Sequence, residues 1–160
     1  MVRLIFVRHG EKDEQPRPDE ELPLREDARQ RTAKLRDDLH TRGLVPGICL
    51  SSRYEHAYET ACILKGSAPV VRVTPLTPHT PEAQFSLEAI LAETASQGAP
   101  LTGIDVVALI GHEPRLRKLI EAATSGATAG LEYLEAVVLR ADSLEQFLAG
   151  SAVLEERFVA

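Results

Sequence analysis

Two histidines in this chain each stand beside a glycine at the abrupt end of an apolar run. Arg8-His9-Gly10 follows Leu4-Ile5-Phe6-Val7, and Gly111-His112-Glu113-Pro114 follows Val106-Val107-Ala108-Leu109-Ile110. An imidazole in such a place can work as base, acid or nucleophile. The guanidinium of Arg8 presents a rigid fork that matches phosphate oxygens two at a time. Gly10 lets the backbone turn tightly and approach an anion closely. A third stretch, Ser52-Arg53-Tyr54-Glu55-His56-Ala57-Tyr58-Glu59-Thr60, puts Arg53 and His56 three residues apart behind a serine cap, on one helix face and near a helix end that attracts anions. Each feature alone has a plain structural explanation: a surface arginine beside a hydrogen-bonded histidine, a satisfied core histidine, a cap that binds nothing. Two histidines at the ends of two core strands weigh the other way, because open α/β sheets bind ligands at the carboxyl ends of their strands.

Other reactive side chains carry less. His79 and Glu82 lie in or just after the loop Pro75 to Pro81, where either could donate a proton, although Glu82 after Pro81 fits an ordinary helix amino terminus equally well. Arg17 is best read as a solvated charge in an acidic, proline-bearing loop from Glu11 to Leu22 that follows the first strand. Cys49 and Cys62 fall in a strand and a helix without metal-like spacing, which fits small buried hydrophobes rather than a disulfide or a zinc site.

The elements that must position these residues can be read from periodicity. Leu4 to Val7 and Val106 to Ile110 are short, β-branched and apolar, as strands covered on both faces are. Leu24 to Arg42 carries Leu24, Ala28, Leu35 and Leu39 on one helical face and stops at Gly43. Further strands are expected at Val45 to Leu50, Val70 to Thr74, Leu134 to Arg140 and Val153 to Val159. Further helices are expected after Ser52, over Glu82 to Ser96 with Leu87, Ile90, Leu91 and Thr94 inward, after Pro114 with Leu116, Leu119, Ile120 and Ala123 inward, and over Asp142 to Leu148.

With 160 residues, 44% of them hydrophobic, the chain is most economically one domain spanning residues 1–160, with no repeat, low-complexity tract or linker. A formal charge of −6 argues against a nucleic-acid-binding protein that works through a basic face, and it requires any anion site to build its positive potential locally. No apolar run approaches the roughly 18 residues of a membrane span, and the amino terminus lacks a leader-like core, so a cytoplasmic location without a membrane partner is the expectation.

Val7-Arg8-His9-Gly10, Ser52-x-x-x-His56-Ala57-x-x-Thr60 and Gly111-His112-Glu113-Pro114, in that order and across essentially the whole chain, resemble the three motifs of the histidine phosphatase (phosphoglycerate mutase-like) superfamily. The length and spacing resemble its short branch, the SixA-like phosphohistidine phosphatases. That resemblance implies a three-layer α/β/α sandwich around a central, mostly parallel mixed sheet. It also implies a hydrolase that uses neither metal nor cofactor. His9 would be the nucleophile that takes the phosphoryl group, Arg8 would hold its oxygens, and His112 would stabilise charge on them. The phosphate would then lie among Arg8, His9, Gly10, His56 and His112, consistent with a reaction that needs mainly positioning and positive charge.

Two departures from the family pattern bear on activity. The middle motif of the family reads Ser-Pro-x-x-Arg-Ala, whereas here the second clamp arginine is replaced by His56, which has no bidentate fork and only partial charge at neutral pH. Arg53 and Arg115 are candidates to compensate. The loop Leu76-Thr77-Pro78-His79 also offers no carboxylate before Glu82, which suits a phosphoramidate, whose imidazole leaving group needs less acid catalysis than an alkoxide. The leading expectation is therefore a metal-independent phosphatase acting on phosphohistidine proteins. The alternatives are a small-molecule phosphomonoesterase, with Glu82 or His79 as donor, and a phosphate-binding or regulatory module without turnover.

Overall fold

A computed structural model describes residues 1–160. The strands β1 (Val2–Arg8), β2 (Ile48–Ser51), β3 (Val70–Arg72), β4 (Val106–Gly111), β5 (Glu135–Ala141) and β6 (Val153–Val159) form one sheet in the order β3-β2-β4-β1-β5-β6. β1 to β4 pair in parallel, and β5 alone runs against its neighbours. The helices are α1 (Glu26–Thr41), α2 (Glu55–Leu64), α3 (Leu87–Ser96), α4 (Arg115–Thr124) and α5 (Leu144–Leu148).

The apolar run of β1 is explained by burial on both sides. Leu4 and Phe6 belong to a core that holds Leu87 and Ile90 of α3, Leu116, Leu119 and Ile120 of α4, and Phe147 of α5. The alternate residues Ile5 and Val7 belong to a second core with Leu35 and Leu39 of α1 and Ala57, Ala61 and Leu64 of α2. A strand's period of two thus divides one sequence between two hydrophobic layers, and the result is the expected three-layer α/β/α sandwich. β1 and β4 are neighbours, yet α1 follows β1 on one face and α4 follows β4 on the other. Such a divergence opens a crevice beyond the carboxyl ends of the two strands.

Boundaries shift where local chemistry intervenes. Val45 is exposed and Pro46 cannot donate to a ladder, so β2 begins at Ile48. Between Glu82 and Ser96 a single tight turn over Glu82–Gln84 comes first, and α3 starts only at Leu87, where Ser86 Oγ accepts the Ala89 N–H at 3.0 Å. Cys49 and Cys62 are free thiols, and burial pushes the Cys49 thiol up to about 12. No helix is long and apolar enough to cross a membrane.

Candidate active site

Register sets the site. Arg8 pairs with Gly111 and Ser51 with Ile110, so β1, β2 and β4 end at one level. Just beyond, the His9 N–H reaches Gly111 O at 3.2 Å and the Ser52 N–H reaches Ile110 O at 3.0 Å. His9 and His112 therefore leave adjacent strand ends side by side, and His56 enters from the first turn of α2. The ring centroids stand 4.4 Å apart for His9 and His56, 4.6 Å for His9 and His112, and 5.7 Å for His56 and His112. All three rings are buried.

The hydrogen bonds assign their tautomers. His9 Nδ1 lies 2.7 Å from Gly10 O, a partner that can only accept, so Nδ1 carries the proton and Nε2 the lone pair. His56 is fixed the same way, with Nδ1 3.0 Å from Leu22 O. His112 Nε2 lies 2.8 Å from Ser52 Oγ, whose hydroxyl already accepts the Tyr54 N–H at 3.2 Å. With one lone pair so used, that hydroxyl readily donates to His112 Nε2, which leaves the His112 Nδ1–H for a ligand. Burial holds all three below the ordinary histidine range, reinforced for His9 and His112 by the neighbouring imidazoles, with His9 at about 3. At pH 7 the cluster is neutral.

Gly10 is required by packing. A Cβ there would lie 3.0 Å from Leu24 Cδ2 and 3.2 Å from Ala28 Cβ of α1. Its N–H donates to Thr60 Oγ1 at 3.2 Å, and the same hydroxyl donates to His56 O at 2.7 Å, so one side chain joins the first and second motifs. Arg8 Nη1 donates to Leu131 O at 3.0 Å, its guanidinium carbon stands 3.9 Å from the centre of the Tyr133 ring, and its Nε is buried without a partner.

The structure thus brings Arg8, His9, Gly10, His56 and His112 together. Arg53 stays outside: α2 starts later than the Ser52 cap suggested, with Tyr54 at its N-cap, so Arg53 precedes the helix and bonds Thr74 Oγ1 at 2.8 Å and Glu93 at 3.2 Å. Arg17 is bonded to Gln15 in the loop. Arg115 and His79 line a cavity of about 340 Å³ with Pro78, His112 and Glu113. Arg115 donates to Thr80 O and keeps a buried Nη1 without a partner. Glu82 is largely exposed, 3.8 Å from Lys118 Nζ, and does not line that cavity.

Three contributors were not singled out as functional from sequence. Tyr133, in the irregular stretch before β5, stands 5.6 Å from the His9 ring and under Arg8; no periodicity marks it. Tyr54 packs 5.2 Å from the His112 ring, and its signal was present in the middle motif. Glu113 is half-buried, and burial raises its carboxyl above the usual range. Its Oε1 accepts the Arg117 N–H at 3.2 Å, while Oε2 is the atom that a Cβ on Gly130 would meet at 3.1 Å. The carboxylate therefore caps α4 and faces Gly130.

No family model matches the chain, and no curated protein matches it by sequence. Solved structures do match it by fold. The protein histidine phosphatase SixA complexed with tungstate superposes with a TM-score of 0.76 at 17% identity, covering 98% of this chain and 96% of that one. A SixA protein from Agrobacterium tumefaciens gives 0.73 at 17% identity over 99% of each chain. A mycobacterial glucosyl-3-phosphoglycerate phosphatase complexed with VO3 gives 0.68 at 18% identity over 98% of each. The resemblance drawn from three short motifs is met at the level of fold: this chain has the architecture of the SixA-type proteins and their histidine phosphatase relatives.

Proposed function

We propose that the chain is a metal-independent phosphatase that hydrolyses phosphohistidine on a protein through a covalent intermediate on His9. One observation carries the proposal: a buried, neutral His9, its Nδ1–H given to Gly10 O, holds its Nε2 lone pair among two further imidazoles at the end of a central strand. Nε2 attacks phosphorus, the bond from phosphorus to the leaving nitrogen breaks, and the substrate ring, already protonated on its other nitrogen, departs as neutral imidazole. The positive charge that develops on the His9 ring is shared through Nδ1–H with the Gly10 carbonyl. The unpartnered Nε of Arg8 and the Nδ1–H of His112 supply donors to the equatorial oxygens, whose charge must be held while the group moves. Water then attacks phosphohistidine, gives up a proton and releases phosphate, restoring His9.

Two of the similar structures are complexes with tungstate and VO3, oxyanions that stand in for phosphate or a transferring phosphoryl group, which is consistent with phosphoryl chemistry on this fold. The phosphoramidate is preferred over an alkyl phosphate because the one carboxylate beside His112 is occupied at the head of α4. A small phosphomonoester is the second substrate class, favoured by His79, which lines the cavity next to His112 and could protonate an alkoxide.

The test is steady-state hydrolysis of a phosphohistidine peptide and of an aryl phosphate in the presence of chelator, with the native chain and His9→Ala. The proposal expects turnover of the peptide that disappears in His9→Ala, and a higher kcat/KM for the peptide than for the ester. A higher value for the ester transfers the assignment to a phosphomonoesterase. A folded native chain that binds vanadate but turns over neither substrate is a binding module.

A further inference from the structure

The cluster has a second set of properties that phosphoryl transfer does not require. One ring nitrogen from each of His9, His56 and His112 lies within 4.8 Å of the other two, and the three side chains are buried together. A tetrahedral ion with bonds of 2.0–2.1 Å needs its ligand nitrogens about 3.3 Å apart, so the rings must draw in by up to roughly 1.5 Å at the widest pair when an ion binds. The outer hydrogen bonds already have the form that metal-binding histidines take. His9 and His56 each give Nδ1–H to a backbone carbonyl, of Gly10 and Leu22, which fixes the tautomer and leaves Nε2 as ligand. His112 presents a lone pair at Nδ1 when the Ser52 hydroxyl turns to accept its Nε2–H, a rotation about one bond. Of the nearby cations, Lys12 is paired with Asp19, while Arg8, held by Leu131 O and the Tyr133 ring, keeps its charge beside the cluster, a cost that the three lone pairs must outweigh. The whole chain carries −6.

We propose that His9, His56 and His112 form a site for a divalent late-transition ion, zinc being the ion it fits, and that occupancy switches the phosphatase off. Three neutral imidazoles and one open position suit zinc, which takes nitrogen ligands in tetrahedral geometry, whereas magnesium and calcium seek oxygen. The ion uses the same Nε2 lone pair of His9 that attacks phosphorus, so coordination and phosphoryl transfer exclude one another. The binding half of this proposal stands on the geometry alone; the inhibitory half rests on the phosphatase reading. His56 makes the site possible, because an arginine at that place has no lone pair to give and would repel the ion.

The experiment is titration of the chelator-stripped full chain with zinc, followed by calorimetry, and with cobalt(II), followed by its visible absorption, for the native protein, His56→Gln and His56→Arg. The native chain is expected to take up one ion, with the strong visible bands of four-coordinate cobalt. Both variants should bind at least a hundredfold more weakly, and saturating vanadate should compete with zinc on the native chain. Absence of uptake by the native chain, or equal uptake by folded variants, overturns the site. If the variants do not fold, cobalt-shifted imidazole proton signals of the native chain decide, and signals from fewer than three histidines overturn it. Phosphohistidine hydrolysis measured alongside separates the two readings. Zinc bound without any turnover in chelator defeats the phosphatase and leaves the metal site standing, whereas turnover that bound zinc does not inhibit defeats the switch.

Discussion

His56→Arg should make this chain a better phosphatase, and the size of the gain can be worked from the site. Native His56 spends its Nδ1–H on Leu22 O at 3.0 Å, so it can donate to a phosphoryl oxygen only through a protonated Nε2. Even an unshifted imidazole is only about a quarter protonated at pH 7, and burial lowers His56 further, so donation carries a protonation cost that arginine does not have. A charge-assisted hydrogen bond is worth about 1.5–3 kcal/mol, and one tenfold step is about 1.4 kcal/mol. Together these give a rise in kcat/KM of roughly 10- to 100-fold at pH 7. The cost falls on stability: His56 is only 1% exposed, so the longer side chain must displace the Leu22 loop. Overpacking of about 1–3 kcal/mol and the lost bond of about 1 kcal/mol are within the usual stability of a domain this size. The assay is kcat/KM for a phosphohistidine peptide in chelator at pH 6, 7 and 8, beside a urea melt of each protein. The ratio of variant to native should climb with pH, because His56 loses its proton and the arginine does not. A folded variant with unchanged or lower kcat/KM at all three pH values refutes the placement of residue 56 at the phosphoryl group.

Other perturbations test the framework. Thr60→Val removes the hydroxyl that accepts the Gly10 N–H and leaves that buried donor unpaired; a loss of about 1–3 kcal/mol in urea unfolding and a fall in kcat are expected, and a variant as stable as the native chain contradicts the bridge between motifs. Gly10→Ala drives a methyl to 3.0 Å from Leu24 Cδ2, which should cost about 1–3 kcal/mol by overpacking against α1; thermal melting checks it, and an unchanged Tm would show that α1 yields freely. Acid should destabilise the fold early. Folded His9 takes its proton only near pH 3, while the unfolded chain takes one near 6.5, so over that window the unfolded state binds more protons and stability falls as pH falls. The slope is up to about 1.4 kcal/mol per pH unit for each such histidine. Urea midpoints that are equal at pH 7 and 5.5 would refute the buried neutral cluster.

The legibility of this fold in its sequence divides along physical lines. β1 and β4 were readable because strands covered on both faces must be apolar throughout, and β6 was read with its observed bounds, Val153–Val159. The rings of His9 and His112 could be anticipated as neighbours because two adjacent parallel strands that end at one level leave their next residues little freedom to part. Arg53 shows the limit of periodicity: helical spacing put it beside His56, yet a two-residue delay in the start of α2 turned it to Glu93. The Ser52 hydroxyl that the spacing offered as a cap is instead shared between the Tyr54 N–H and His112 Nε2, the latter a contact 60 residues distant in sequence. Tyr133 was illegible for a similar reason. It lies outside any repeat, and it reaches Arg8 because the irregular approach to β5, with Leu134 at φ 59°, ties the Leu134 N–H to Arg8 O at 3.0 Å.

Residue 56 sits where charge decides what the crevice can hold. With arginine there, two guanidinium groups would stand ready for a dianion, and no cation could enter. With histidine the resting cluster is neutral, the tautomers of His9 and His56 are fixed by Gly10 O and Leu22 O, and Arg8 keeps a buried unpartnered nitrogen beside the three rings. A phosphoryl group entering such a site must draw a proton onto His56 to gain a second positive contact, whereas a transition ion needs only the lone pairs already in place. The exchange of one side chain therefore weakens the hold on phosphate and creates an affinity for metal in the same step, and both effects should be lost together in His56→Arg.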